Sequence, residues 1–220
     1  MPLTDTSEKG LEDLITAALT GTAVAGTPRT REATIGYGAG YVQGDPHDYD
    51  REYALDLRQL RAFLEATQPA VAQQLALAQD SPTRRKFLAR VQGEITRRGT
   101  IDVLRKGIKH GPLAVDLFFG APTPGNPQAA ARFAANVFSI TRQLRYSRDE
   151  TQLALDLCLF INGLPIATFE LKNRLTKQTV EDAVQQYKRD RNPRELLFQF
   201  GRCVVHFAVD DQEVRMATHL

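Results

Sequence analysis

Three charged residues interrupt two apolar segments that are joined by a turn signal. Asp156 lies in LALDLCLFI, Glu170 and Lys172 lie in PIATFELKN, and Asn162-Gly163 connects the two segments. A charge within an apolar strand is costly unless it is paired or binds a metal. Two carboxylates and a lysine with this spacing are typical of a metal-dependent nuclease site.

The Asn-Gly pair between apolar segments predicts a β-hairpin. Because side chains alternate along a strand, Glu170 and Lys172 share a face. Packing the leucine row of the first strand beside the apolar row of the second pairs Leu157 with Phe169 and places Asp156 opposite Glu170. A plain two-residue turn would send Glu170 to the other face, so we predict a three-residue loop or a bulge.

The opposed carboxylates predict a magnesium site at Asp156 and Glu170. At a separation of about 4 Å they would repel by about 4 kcal/mol at an effective dielectric constant of about 20, and a divalent cation turns that repulsion into attraction. Mg²⁺ takes oxygen ligands and retains waters. Lys172 could stabilise phosphate charge or orient the attacking water. The same spacing also fits a solvated strand face with a Glu-Lys salt bridge.

The elements around this hairpin predict an α/β fold, with a mixed β-sheet core flanked by helices. We treat the chain as a single domain, 1–220, with a helical insertion over 52–109. The segment 21–50 reads as an irregular connection anchored by Tyr37 and Tyr41. Periodicity and turn signals predict helices over 5–19, 53–69, 70–79, 82–99, 127–135 and 178–190, and strands over 113–119, 137–146, 152–161, 165–173, RCVVHFAV and EVRMATHL.

Composition is consistent with a globular protein of the cytoplasm. The chain has 220 residues, 42% of them hydrophobic, and a net charge of +2, so its overall charge does not indicate nucleic-acid binding. Two cysteines, Cys158 and Cys203, are too few for a disulfide framework and suggest buried thiols in a reducing compartment. His206 is expected in the core. No apolar run is long enough to span a membrane.

Two basic clusters are candidates for contact with phosphates. Residues 84–109 contain nine Lys or Arg against two acids, a bias that fits DNA, an acidic partner surface or a solvated helical face. The second cluster follows the hairpin closely in sequence and is the better candidate for contacting the DNA backbone. Its members are Lys188, Arg189, Arg191 and Arg194.

The stretch from Asn136 to Leu220 resembles the amino-terminal nuclease domain of the R (HsdR) subunit of type I restriction endonucleases. The matching segments are NVFSITRQLRYS, DLCLFINGLPIATFELKN, TVEDAVQQYKRDRNPRELLF and GRCVVHFAVDDQEVRMATHL, and RKGIKHGPLAVDLFFGAP extends the match upstream. This resemblance implies the PD-(D/E)xK nuclease superfamily and its restriction-endonuclease-like fold. Asp156, Glu170 and Lys172 match the catalytic triplet, although Leu155 stands where proline is usual.

The resemblance also implies further site members. An acidic residue of the first helix often joins such sites, which favours Glu8 over Glu12, although acids near a helix amino terminus are also favourable in themselves. Many relatives carry a Q-x-x-x-Y motif after the E-x-K strand. Here Tyr187 is present but Ala183 replaces the glutamine. Gln186 and Tyr187 are therefore additional candidates for the site, and the alternative interpretation is an ordinary surface helix.

The function implied is a Mg²⁺-dependent endodeoxyribonuclease that acts on double-stranded DNA together with modification and specificity subunits. ATP belongs to a translocase motor, and the chain contains no G-x-x-x-x-G-K-[ST] motif. Because the family sequence normally continues past MATHL, we interpret the chain as a truncated form or a standalone relative. The alternatives are a noncatalytic DNA-binding or assembly module of the same fold, and a recombination or repair nuclease, which the NGLP and QYKRDR segments disfavour.

Overall fold

The computed structural model describes residues 7–22, 40–149, 152–173 and 176–220. The predicted anchor Tyr37 lies outside these ranges. The helices are α1 (Glu8–Thr20), α2 (Leu57–Thr67), α3 (Pro69–Gln74), α4 (Pro82–Arg98), α5 (Thr100–Lys106), α6 (Pro127–Ala134) and α7 (Val180–Asp190). The strands are β1 (Tyr41–Gln43), β2 (Tyr49–Asp50), β3 (Leu55–Asp56), β4 (Ile108–His110), β5 (Leu113–Val115), β6 (Phe138–Arg145), β7 (Ala154–Ile161), β8 (Leu164–Leu171), β9 (Val205–Val209) and β10 (Val214–Ala217).

A mixed six-stranded sheet organises the fold, with the strand order β1-β6-β7-β8-β9-β10. Strands β6 to β8 form an antiparallel meander, and β10 is antiparallel to β9. The pairs β1–β6 and β8–β9 are parallel. A parallel pair needs a crossover, and α7 supplies it between β8 and β9. The predicted mixed sheet flanked by helices is therefore confirmed.

The β7–β8 hairpin has the bulged form that the sequence predicts. Its turn is the two-residue pair Asn162-Gly163, with φ values of 51° and 82°, as a type I′ turn requires. A register shift between Leu159 and Phe160 then inserts one extra residue. Beyond that bulge Leu157 pairs with Phe169, as predicted.

The predicted helical region is confirmed and packs at the turn end of this hairpin. Gly163 O accepts the Asp56 N–H at 2.9 Å, and Gly163 lies against Leu60 of α2. The apolar faces of α2, α4 and α5 share one core with the β4–β5 hairpin. Its largest fully buried members include Phe63, Phe87, Leu55, Leu60, Leu64, Leu75, Leu88, Ile95 and Leu117.

Three element predictions need correction. The helix predicted over 70–79 ends at Gln74, because Ala76 adopts a left-handed φ of 51°. The strand predicted over 113–119 is the three-residue β5, paired with β4. Tyr41 was expected in an irregular connection, yet it begins β1, which is too short for its pattern to be recognised.

Helix α1 covers one face of the sheet, where Leu11, Ile15 and Leu19 contact a cluster that includes Leu157 and Leu171.

Cys158 and Cys203 are buried free thiols, as expected. His206 is buried as expected, and burial lowers its pKa to about 4. Within the described ranges, the helices are all too short or too polar to cross a membrane.

Candidate active site

Asp156 lies on β7 at the end where the backbone pairing between β7 and β8 stops. Instead of a backbone carbonyl, its Oδ2 atom accepts the N–H of Leu171 at 2.7 Å. Its other oxygen, Oδ1, accepts a hydrogen bond from Gln143 Nε2 at 3.3 Å. The carboxylate is therefore held in place by the neighbouring strands β6 and β8 while it remains partly accessible to solvent.

Gln143 was not singled out from the sequence. It has a φ of 48° within β6, a left-handed conformation that costs energy for a residue other than glycine. Its Nε2 atom donates to Glu12 Oε2 at 3.1 Å and to Asp156 Oδ1, so one amide connects α1 to β7. Sequence pattern carries no signal for a left-handed glutamine in a strand.

Both acidic residues proposed on α1 lie beside the hairpin. Ser7 caps the helix by accepting the Gly10 N–H, which fixes where its first turn begins. Glu8 Oε1 is 3.6 Å from Lys172 Nζ. Glu12 is buried and accepts hydrogen bonds from Arg142 and Gln143. Glu8 thus pairs with the lysine, and Glu12 reaches Asp156 through an amide.

Glu170 is completely buried, with 0% of its surface exposed. Its Oε1 atom accepts hydrogen bonds from Arg191 Nε at 2.7 Å and from Arg191 Nη2 at 2.6 Å. The Oε2 atom is also buried and finds no hydrogen-bond partner among the described residues. Burial raises the pKa of Glu170 to about 8; the nearby Asp156 charge adds to the rise and Arg191 opposes it.

Arg191 is buried beside Glu170, which corrects its predicted contact with DNA. Its Nη2 atom donates to Ala154 O at 2.8 Å, and Nη1 is 3.3 Å from Tyr146 OH. The guanidinium also stacks over the Tyr146 ring, 5.5 Å from its centre. The other three predicted DNA contacts are exposed: Lys188, Arg189 and Arg194.

Tyr187 lies in the core instead of facing a ligand. It is 5% exposed, and its OH group is 2.9 Å from Thr168 Oγ1, which in turn is 2.7 Å from His206 Nδ1. This network satisfies the polar groups that the interior encloses. Gln186 is half-buried on α7.

The carboxylate oxygens of Asp156 and Glu170 are the type of ligand that Mg²⁺ prefers. Asp156 is partly accessible, and the unpartnered Oε2 of Glu170 would gain a partner if a cation were bound. No group of three or more His, Cys, Asp or Glu side chains with metal-ligand geometry occurs in the described ranges. A cation held here by Asp156 and Glu170 would therefore take its remaining ligands from water or phosphate oxygens.

Fold and topology define the class, an α/β domain of restriction-endonuclease-like architecture in which a helical region packs on the hairpin turn. The family model of the type I restriction enzyme R protein N terminus (HSDR_N) matches residues 36–220, and the chain belongs to this family. A search of curated proteins found no match.

Proposed function

We propose that this chain is a metal-dependent DNA endonuclease domain of the PD-(D/E)xK type. The observation that carries the proposal is that Asp156 and Glu170 lie on adjoining strands, with Lys172 directly after the second strand, at the end where the backbone pairing of β7 and β8 stops. Membership in the R protein family supports a role in restriction. The wider setting belongs to the proposal as well: a cytoplasmic complex with modification and specificity subunits and an ATP-driven motor outside these residues.

Each residue has a distinct role in this proposal. Asp156 and Glu170 hold Mg²⁺, which when bound acts as a Lewis acid on a phosphodiester oxygen and lowers the pKa of a bound water. Lys172 stabilises negative charge on the phosphate, and Glu8 orients its ammonium group. Gln143 and the Leu171 N–H fix the direction of the Asp156 carboxylate.

Double-stranded DNA is the proposed substrate. Lys188, Arg189 and Arg194 are exposed on and just after α7, close in sequence to the hairpin residues. Contacts from such side chains to phosphates position a duplex without reading its sequence. We therefore assign little sequence specificity to this domain.

Metal binding and plasmid nicking by the same samples test the proposal. We expect Mn²⁺ or Mg²⁺ binding, measured by calorimetry, to be lost in Asp156→Asn and Glu170→Gln and retained in Lys172→Ala. All three variants should fail to nick supercoiled plasmid. Glu65→Gln on α2, an exposed acid in an ion pair with Arg61, is the matched control and should behave like the wild type. Undiminished metal binding in both carboxylate variants would remove this site.

A noncatalytic DNA-binding or assembly module of the same fold is the second candidate. The Arg191–Glu170 ion pair favours it, because the arginine already neutralises one of the two carboxylates. That function predicts salt-dependent DNA binding that Lys172→Ala leaves unchanged, without metal-dependent nicking by any variant.

A further inference from the structure

A basic cavity of about 280 Å³ lies between α4, α5 and the β4–β5 hairpin, away from the residues assigned to catalysis. Five cationic side chains line it together with the buried acid Glu94. They are Arg90, Arg97, Arg98, Lys106 and Lys109. Asp116 is the other acid in its wall.

Three arginines converge on the single carboxylate of Glu94, which is 4% exposed. Arg90 Nη2 is 3.0 Å from its Oε1 atom, while Arg97 Nη2 and Arg98 Nε are each 2.7 Å from its Oε2 atom. Asp102 pairs with Arg98 and Lys106. Five cations thus meet three carboxylates, and a net positive charge of two remains for an anion to neutralise.

Backbone contacts fix the walls of this cavity before any ligand enters. Arg90 Nε donates to Lys109 O at 3.1 Å, and Arg98 donates to Gly107 O. Arg97 and Lys106 remain 69% and 71% exposed, so their charged ends can reach a ligand at the rim. Arginines anchored in the walls, together with exposed cations at the entrance, suit a tetrahedral anion such as phosphate.

Positive charge is concentrated in the segment that contributes most of the cavity lining, and five of its nine basic residues line the cavity. Residues 84–109 carry nine Lys or Arg and two acids, an excess of seven positive charges, whereas the whole chain has a net charge of +2. The remainder is therefore acidic by five charges. A local excess of positive charge of this size attracts a polyanion to the segment that forms the cavity.

A glycine leaves the exposed surface of α4 open next to the lining residue Glu94, although Gly93 itself does not line the cavity. Gly93 lies within α4 between Arg90 and Arg97, and a Cβ atom there would meet no heavy atom of the described residues within 4 Å. A glycine in a helix interior is destabilising relative to alanine, and no packing requirement explains it here. Without a side chain at this position, a ligand backbone can approach the surface of α4 beside the cavity.

From these observations we propose that the cavity binds a phosphate of the DNA backbone, as an anchor separate from the catalytic hairpin. The hairpin turn faces the helical region, whereas Asp156 lies six residues before that turn, about 20 Å along the strand. The anchor would contact the duplex at a point distant from the scissile bond. Naming DNA as the source of the phosphate rests on the proposed function.

Binding of a short duplex oligonucleotide in EDTA, followed by fluorescence anisotropy over a range of salt concentrations, tests the anchor without needing catalysis. We expect Arg97→Gln/Lys106→Gln to weaken binding about 10-fold at low salt and to reduce the slope of log K against log salt by roughly 2. The matched control is Lys86→Gln/Arg105→Gln, which removes the same charge from the same segment outside the cavity and should change affinity less than twofold. Thermal unfolding verifies that both double variants fold.

Each outcome of this experiment decides the proposal. Equal losses in the two double variants would mean diffuse attraction and would overturn the anchor, as would unchanged DNA binding in the cavity variant. Calorimetry with inorganic phosphate separates the sources: free phosphate bound as tightly as DNA would overturn the assignment to a DNA backbone. Asp156→Asn should bind the duplex like the wild type, so failure of the nuclease proposal and failure of the anchor give different results.

Discussion

Arg191, which follows α7, and Glu170, in β8, form a buried ion pair, with Nη2 of the arginine 2.6 Å from Oε1 of the glutamate. The arginine uses two nitrogens on the same oxygen and leaves Oε2 without a partner among the described residues. A buried carboxylate needs such compensation, since its loss of hydration costs several kcal/mol. The pair therefore fixes the orientation of one proposed metal ligand and keeps the other oxygen available.

Removing the arginine should destabilise the fold more than removing another buried arginine. We expect Arg191→Met to lower the free energy of unfolding by about 3–5 kcal/mol, because Glu170 is left buried and unpaired. Arg191→Met/Glu170→Gln should recover most of the loss. The control is Arg202→Met, since Arg202 is 2% exposed and both its Nη atoms lack hydrogen-bond partners in the described part of the chain. Urea denaturation measures all of these; equal losses for the two arginine variants would contradict a stabilising role for the pair.

Gln143 offers a test that separates strain from function. Gln143→Gly relieves the left-handed backbone and removes the amide, whereas Gln143→Ala removes the amide alone. We expect the glycine variant to be more stable than the alanine variant by about 1 kcal/mol. Both variants should bind Mn²⁺ more weakly in calorimetry, because Asp156 loses its contact with the amide. Wild-type metal affinity in both would show that the amide does not position Asp156.

The hairpin could be predicted from sequence because every signal for it is local. The Asn-Gly pair predicts the turn, and the alternation of apolar residues keeps Glu170 beside Asp156 only with a three-residue loop or a bulge, of which the structure has the bulge. The start of α4 is equally local, since Ser81 caps it and Pro82 occupies its first position.

The partners of the catalytic candidates were not predictable for a physical reason. Arg191 is one of four basic residues on or just after α7, and only the tertiary packing turns it inward to Glu170. Tyr187 is a similar case, because a helix face that looks exposed in the sequence packs against β8 and β9. The left-handed Gln143 has no counterpart in residue periodicity.

Asp56 should make stability depend on pH. The residue is 1% exposed, its Oδ1 caps α2 by accepting the Gln59 N–H at 3.0 Å, and burial raises its pKa to about 6 from the usual 3.8. The folded state holds the Asp56 proton more tightly than the unfolded state does. The stabilisation of the fold by this proton is therefore complete below about pH 4 and is lost as the pH rises to about 6. Asp56→Asn can retain the cap without the charge. We expect its advantage over the wild type to grow across that interval to about 3 kcal/mol at neutral pH.

Chemical denaturation of wild type and Asp56→Asn at a series of pH values measures this difference. Asp45→Asn is the control, because the Asp45 side chain is 53% exposed and hydrogen bonds to His47 lower its pKa instead of raising it. An advantage of Asp56→Asn that stays constant between pH 4 and 7 would mean that Asp56 does not titrate on folding.

Gly93→Ala should stabilise the protein. A Cβ atom at this position in α4 would contact no described residue, so the variant gains helix propensity worth about 1 kcal/mol without a steric penalty. Gly99→Ala is the comparison, since Gly99 ends the same helix with a φ of 80° that alanine disfavours, and it should lose stability. Thermal and urea unfolding measure both. A loss of stability in Gly93→Ala would indicate a backbone requirement that the helix geometry does not reveal.

Gly163→Ala should be among the most damaging small substitutions, because two separate costs coincide there. Its φ of 82° is unfavourable for alanine, by about 1–2 kcal/mol. A Cβ atom would also lie 2.3 Å from Asp56 O and 2.7 Å from Leu60 N, so the turn would have to move away from α2. Gly125→Ala isolates the first cost, since Gly125 has a φ of 86° and an added Cβ would meet no described atom within 4 Å. We expect the loss in unfolding free energy at Gly163 to exceed that at Gly125 by at least about 2 kcal/mol; equal losses would mean that the hairpin turn is not held against the helical region.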